Sequence, residues 1–590
     1  MNKFKNRGFF FYVFSTFTGL FLFFTLLILL LFGIFLSSVA KKSSPPSSKS
    51  PVLELKLNGE INDYTPESDL QLTAYLGDEF SSPLSLNNIL KAIDLAKHDS
   101  AIKCIYLNVN FLNAGYSTLT EIYYALHEFK KSGKKVIAFA DFYYNKNYFL
   151  ASVADSIFLH PKGEFILNGM SANTLFIKEL LQKVGVEMQV VRVGDFKGAV
   201  EPLVRNSLSE ENKSQIASFL NLNYQYFINR IAEGRKMSRD NLKNICDNLL
   251  AESPTKAEEL NLIDGLIYPD ELFEKLNAFG KQKDNKYKQV SAYIKQKNAD
   301  QEGNDEIALV FAEGNIVSGK GNTTNIGGKK YAEILRKIRK GKNVKALVLR
   351  VNSGGGSAFA SDEILREIKL IREKNIPVVV SFGNVAASGG YYISCLADSI
   401  FSLPNTLTGS IGVFGVYPNA KKLLNDKIGI KQEVIKTGKF SDFGRIDRPL
   451  NLAEKKWINQ RLLNIYDDFV AYVAEGRDMK LTNVYDLAQG KIYSGSHALE
   501  SGLVDKLGGL QMAMESAIKM SKSTSPKTIV YPKAENEISI LLDKIGLKSY
   551  VYQKQFSDLM QTKRTIDKFS KGNALLDNCQ MGLPFDLQIE

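Results

Sequence analysis

The sequence predicts an α/β protein in which one architecture occurs twice in tandem behind an apolar N-terminal segment. Three observations carry that expectation. Short landmarks recur in register along the chain, continuous apolar runs alternate with amphipathic stretches of helical period, and no charged residue occurs between Arg7 and Lys41. A strand buried on both faces reads as an unbroken apolar run, whereas a half-exposed one alternates with polar residues. Runs such as "VKALVLRV" and "IPVVVSF" are of the first kind. Joined by helical crossovers, they imply parallel strands and an α/β fold.

A chain of 590 residues with 44% hydrophobic and 23% charged residues has a normal globular composition and is too long for a single ordinary domain. The net charge of +12 is scattered, with no basic stripe interleaved with aromatics, so it reads as solvated surface and no nucleic-acid partner is expected. Cys104, Cys246, Cys395 and Cys579 are too widely separated for a metal knuckle or a disulfide framework.

The uncharged N-terminal stretch is long enough to span a bilayer as a tilted helix. Ser38-Val39-Ala40 resembles a small-residue cleavage site, but the apolar core of a cleaved signal runs only about 7–15 residues. The expectation is therefore a retained transmembrane anchor over residues 9–39, after a short terminus at 1–8. Lys3, Lys5 and Arg7 face Lys41, Lys42 and Lys49 across it, so charge alone does not orient it. The Ser/Pro/Lys-rich stretch at 40–51 reads as a tether.

The repeat shows in four landmarks. "ADSIF" at 154–158 recurs at 397–401, "AIKCIYLNVN" ending at Asn110 parallels "VKALVLRVN" ending at Asn352, "AEGR" ends at both Arg235 and Arg477, and "AEELNLIDGL" parallels "ALESGLVDKL". Their order is preserved, which places one copy at 52–280 and the other at 305–530. A highly charged stretch, 281–304, reads as the linker. Residues 531–590 form an extension ending in "LPFDLQIE", whose alternation suits an edge strand as well as a frayed tail.

Chemistry concentrates in the second copy. The strand "VKALVLRVN" runs into "SGGGSAFASDEI", placing Gly354, Gly355 and Gly356 where a loop exposes backbone N–H groups. No Lys-Ser/Thr pair follows, so a phosphate loop is not supported. The next strand leads to Ser388 among Ala386, Ala387, Gly389 and Gly390, small neighbours that leave its hydroxyl open. In the first copy Asn145 occupies that position and the glycine loop is absent, as expected if only one copy carries an active site. The four histidines, His98, His127, His160 and His497, lie outside these motifs, so a lysine is the alternative base. Lys197, between Phe196 and Gly198 in "GDFKGAVEP", is the best candidate, although from the residues alone it reads more readily as a solvated loop lysine.

Together "AASGGYYIS", "TGSIGVFG", "VNSGGGS" and "GDFKGAVEP" resemble the signal peptide peptidase A family, in its long two-copy form. The resemblance implies a serine endopeptidase with Ser388 as nucleophile, Lys197 as general base, Ser410 orienting the lysine amine, and the N–H groups of Gly355 and Gly389 as the oxyanion hole. It implies a ClpP/crotonase-like superhelix of β–β–α units, a homotetramer, and a catalytic body on the extracytoplasmic, periplasmic face of the inner membrane with the terminus at 1–8 cytoplasmic. The implied substrates are released signal peptides and other apolar peptides, with no metal and no cofactor. Gly354 stands where the family often has proline, which predicts a looser unbound loop. At the position matching Lys197 the second copy has Ser441, so it cannot supply its own lysine. The competing readings are an acyl-CoA enzyme, which needs no Ser388, and a non-enzymatic membrane scaffold.

Overall fold

The computed structural model describes residues 14–27, 30, 50–65, 84–280, 287–297, 303–533, 579–581 and 588–589. The chain divides into two compact units, 1–49 and 50–590. In the first, residues 14–27 are helical, and the hydroxyls of Thr18 and Thr25 donate to the carbonyls of Phe14 and Phe21 one turn earlier. Among the described residues no helix is long and apolar enough to cross a membrane. The expected span over 9–39 is thus not shown as such, and most of its flanks lie outside the described residues.

In the second unit, β1 (Val52–Lys56), β2 (Cys104–Asn108), β3 (Lys135–Tyr143) and β4 (Ser156–Phe165) form a sheet in that order, all parallel, as the apolar runs predict. Lys288–Gln289 extends it beside β1, and the following helix, Val290–Lys297, buries Val290, Tyr293 and Ile294. Part of the expected linker at 281–304 therefore packs on the first copy through three apolar residues at helical spacing. Between β4 and that extension the chain forms β5 (Glu187–Val193), which belongs to neither parallel sheet.

The second copy places β6 (Asp305–Glu313) beside β7 (Val344–Ser353), followed after the short β8 (Gly356–Ser357) by β9 (Val378–Ala387) and β10 (Leu407–Gly409). Within this sheet the order is β10-β9-β7-β6, again parallel. A third sheet crosses between copies: β11 (Val413–Asn419) pairs antiparallel with β5, Val413 opposite Val193.

Each repeated landmark has the same structural task in both copies. The helices α1 (Glu210–Arg235) and α2 (Leu452–Arg477) both end in "AEGR" at a residue with left-handed backbone, Lys236 and Asp478. A side chain at Gly234 would strike the Ser152 carbonyl, and one at Gly476 the Cys395 carbonyl. Arg235 pairs with Asp264, which also accepts from the Ile157 N–H, and Arg477 pairs with Asp505, which accepts from the Ile400 N–H. In "ADSIF", Asp155 accepts from Val136 and Asp398 from Val378. These ties knit strands to crossovers, which explains why the letters coincide.

Alternation along β6 and β7 joins the copies. Ile307, Leu309, Phe311, Ala346 and Val348 pack into the core of the first copy, while Ala308, Val310, Ala312, Leu347, Leu349 and Val351 pack into that of the second. By the same period-2 rule Arg350 faces the first copy. It is fully buried and donates to both carboxylate oxygens of Asp63 at 3.0 and 3.1 Å, to Glu121 at 2.8 Å, and to Ser381 and the Phe382 carbonyl. Beside it, burial and then the charge of Asp63 push the Glu313 carboxyl up to about 7. Removing one member of a buried pair leaves the others unpaired and costs about 3–5 kcal/mol. Arg350→Met should therefore lower the urea midpoint sharply, and adding Asp63→Asn and Glu121→Gln should restore part of the loss. Equal midpoints for Arg350→Met and the wild type would contradict this role.

Candidate active site

β9 delivers Ser388 at its carboxyl end, and α3 (Gly389–Tyr392) starts immediately after it. Ser388 has φ 55° and ψ −117°, a conformation that non-glycine residues adopt only when the surroundings enforce it. Here they do: the Ser388 N–H donates to the Gly409 carbonyl at 2.8 Å, and its carbonyl accepts from Tyr392 at 2.8 Å. The sharp strand-to-helix turn presents the hydroxyl at the start of a helix, where N–H groups lack intrahelical acceptors.

Ser410 follows β10, also with positive φ (52°), and its N–H donates to the Lys491 carbonyl at 2.6 Å. β10 is held against β9 by pairing of Ala387 with Gly409 and by the Thr408 hydroxyl on the Ala386 carbonyl. The two serines thus sit at the ends of adjacent parallel strands.

Lys197 comes from the other copy. The antiparallel pairing of β5 with β11 carries the first-copy chain across, and Phe196 then donates its N–H to the Gln489 carbonyl at 3.0 Å. Gly490 (φ +78°) packs on the Lys197 backbone so closely that an added Cβ would lie 2.7 Å from the Lys197 nitrogen. The side chain is fully buried, and its Nζ lies 2.7 Å from Ser388 Oγ, 2.7 Å from the Ser410 carbonyl and 2.8 Å from Ser410 Oγ. All three oxygens are uncharged. Burial alone drives the amine well below its ordinary pKa of 10.5, because the charged form has lost its hydration.

Gly355 and Gly389 also come together. A Cβ built on Gly389 would lie 3.1 Å from the Gly355 Cα and 2.8 Å from Ser361 Oγ. The Gly355 N–H donates to Ser353 Oγ at 3.1 Å, closing the loop across Gly354. This tie restrains a turn that the missing proline would leave loose, and it shares the N–H that the resemblance gives to the oxyanion hole. Asn145, the counterpart of Ser388, instead binds Asn168 and the Gly169 carbonyl at the head of Asn145–Ala151. Ser441, the counterpart of Lys197, is exposed. Among the described residues no group of His, Cys, Asp and Glu could hold a metal ion.

Sequence reasoning missed Gly490 and the Arg350 cluster. An arginine inside the apolar run "VKALVLRV" was a signal for the second, while nothing in the sequence ties Gly490 to Lys197.

Residues 128–283 and 371–524 match the model of peptidase family S49, two segments starting 243 residues apart, the spacing of the "ADSIF" repeat. Protease 4 of Haemophilus influenzae is 35% identical over 507 residues, covering 83% of this chain and 82% of that protein. The chloroplastic serine protease SPPA of Arabidopsis thaliana is 33% identical over 489 residues, 81% of this chain and 70% of that one. Protease 4 of Salmonella typhi is 33% identical over 517 residues, 85% and 83% respectively. A solved ClpP1 mutant from Listeria monocytogenes covers 35% of this chain and 94% of its own at 18% identity, but with a TM-score of 0.24 it carries no argument.

Gly490→Ala should push the Lys197 backbone away from the serines. The expected result is a fall in kcat of roughly tenfold or more with KM little changed, since displacements near 1 Å cost up to about 100-fold. Unaltered kinetics would mean that this contact does not position the lysine.

Proposed function

The chain belongs to peptidase family S49 and is a serine peptidase, and from that premise we propose that it cleaves peptides through an acyl-enzyme on Ser388 with Lys197 as general base. The observation that carries the reading is the 2.7 Å contact between the Lys197 amine and the Ser388 hydroxyl, at a buried amine whose hydrogen-bond partners among the described residues are all uncharged oxygens.

A neutral amine has two N–H bonds and one lone pair, and it meets three oxygens here. The Ser410 carbonyl can only accept, and the Ser410 hydroxyl takes the second N–H, so the lone pair is left for the Ser388 proton. On attack, Ser388 Oγ bonds to the scissile carbonyl carbon while its proton passes to Lys197. The proton then goes to the leaving amine as the C–N bond breaks. Water, losing a proton to the same lysine, cleaves the ester and returns the serine. We assign the Gly389 N–H, first in its helix, to the oxyanion, joined by Gly355 when it exchanges Ser353 for substrate.

The substrate class proposed is released signal peptides and other apolar peptides. Further parts of the reading are a membrane anchor at 9–39 with an extracytoplasmic body, a homotetramer, a ClpP/crotonase-like superhelix, and a lysine-bearing copy at 52–280 working with a serine-bearing copy at 305–530. These rest on the motif resemblance.

Ser388→Ala and Lys197→Ala should each remove peptidase activity, the lysine change by about 10²–10⁴-fold, the usual worth of a general base. A serine-directed fluorophosphonate should label the wild type and fail to label Ser388→Ala. Wild-type turnover by Lys197→Ala would contradict the proposed base.

A further inference from the structure

Helix α1 belongs to the first copy, yet one of its faces serves the second. Asn212, Gln215 and Phe219 recur along it at helical spacing. Phe219 packs with Ala387, Leu407 and Ile492 in a small apolar cluster, and Ala387 directly precedes Ser388. One turn earlier, the half-buried Gln215 touches both copies at once. Its Nε2 donates to the Phe196 carbonyl at 3.2 Å, in the peptide bond that leads into Lys197, and its Oε1 accepts the Ile492 N–H at 3.2 Å.

The amide cannot turn over. A main-chain carbonyl only accepts and a main-chain N–H only donates, so Phe196 and Ile492 fix which end of Gln215 faces which copy. Nε2 also donates to Asn212 Oδ1, and Asn212 Nδ2 donates to Glu201 at 2.9 Å and to Ser209 Oγ at 3.0 Å. The buried Glu201 carboxyl in turn accepts the Ser209 N–H at 2.9 Å. Gln215 is thereby anchored at the start of its own helix.

The two main chains it joins are those that carry the amine and one of its partners. Phe196 precedes Lys197, and β12 (Ile492–Ser494) pairs antiparallel with β10, Ile492 opposite Gly409. Ser410 follows Gly409 and donates its N–H to the Lys491 carbonyl. One side chain thus spans the junction across which Lys197 Nζ and Ser410 Oγ meet at 2.8 Å. The matching positions of α2, a helix of the same 26 residues, hold Glu454, Trp457 and Arg461. A face needed only to pack the helix on its own copy would be repeated there, as the shared "AEGR" is.

We propose that Gln215 is a positioning residue for the peptidase reaction, holding the Lys197 peptide and the Ser410 strand at the separation at which the amine meets both serines. The inference rests on Lys197 being the general base. Among the described residues, the charged groups of this segment make their contacts on main chain and ring. Arg192 donates to the Lys197 carbonyl at 3.4 Å and lies 3.8 Å from Glu201, and the Lys491 amine stands 5.4 Å over the Phe196 ring. Slack at Gln215 therefore acts through the distance from amine to serines and through the water it admits.

The test compares the full chain with its Gln215→Leu and Gln215→Glu variants on one apolar fluorogenic peptide, with active sites counted by fluorophosphonate labelling. Leucine removes both cross-copy contacts, whereas glutamate keeps an acceptor for Ile492 and sets an oxygen against the Phe196 carbonyl. In both, kcat per active site should fall roughly tenfold with KM little changed, since misplacement near 1 Å costs up to about 100-fold. The acid limb of the kcat profile should move to higher pH, because an amine that regains water holds its proton more tightly. Ser238→Ala, which uncaps the first-copy helix Arg239–Asp247, controls for stability alone and should lower the urea midpoint without moving kcat or the acid limb. If Gln215→Leu fails to fold, Gln215→Glu carries the comparison. A lowered midpoint with kcat and acid limb in place, or an equal loss of kcat in Ser238→Ala, would overturn the inference and leave the base intact. Wild-type turnover by Lys197→Ala would overturn the base instead.

Discussion

An amine buried among uncharged oxygens must give up its proton or be held by compensating interactions, and that constraint organises this molecule around Lys197. Among the described residues its hydrogen-bond partners are all uncharged oxygens, and burial favours the neutral amine. Such an environment cannot be assembled locally. The lysine arrives at the end of a first-copy segment, the two serines at the ends of adjacent second-copy strands, and Gly490 closes on the lysine backbone. Any slack between the copies would admit water, restore hydration to the ammonium and separate the groups.

The frame that prevents slack is charged where the site is neutral. Arg350 reaches from the second copy to Asp63 and Glu121 of the first, and the Asn384 side chain receives the Thr118 N–H and donates to its hydroxyl. Apolar residues on one face of β6 and β7 complete the first copy's core. A polar cluster of fixed geometry specifies register between two packed bodies in a way that apolar contact alone does not. The strained backbone at Ser388 and Ser410 depends on the same support, since each donates its N–H to a carbonyl of a neighbouring strand or loop.

Much of this was legible in the sequence because duplication supplies its own control. "AEGR" and "ADSIF" coincide where both copies need the same tie between helix, strand and main chain. Asn145 and Ser441 differ from Ser388 and Lys197 where the copies are brought together for different purposes. Parallel strands followed from unbroken apolar runs, and the family followed from four ordered motifs. What could not be read depends on distances through space. Lys197 looked like an ordinary loop lysine because the groups that bury it lie some two hundred residues away in sequence. The tie from Gly355 to Ser353 needs the turn to be seen, and the reach of Gln215 from Phe196 to Ile492 follows from no periodicity in α1.

To take the Ser388 proton, the Lys197 amine must be held below its ordinary value, as its burial implies, and the direct measurement is its own titration. Proteins carrying ¹³C at lysine Cε can be followed by NMR across pH, with the Lys197 resonance assigned by its absence from Lys197→Met. This one resonance should gain its proton only well below 10.5, in step with loss of peptidase activity on the acid side. A Lys197 that titrates with the surface lysines, at its ordinary value, would contradict its role as the base.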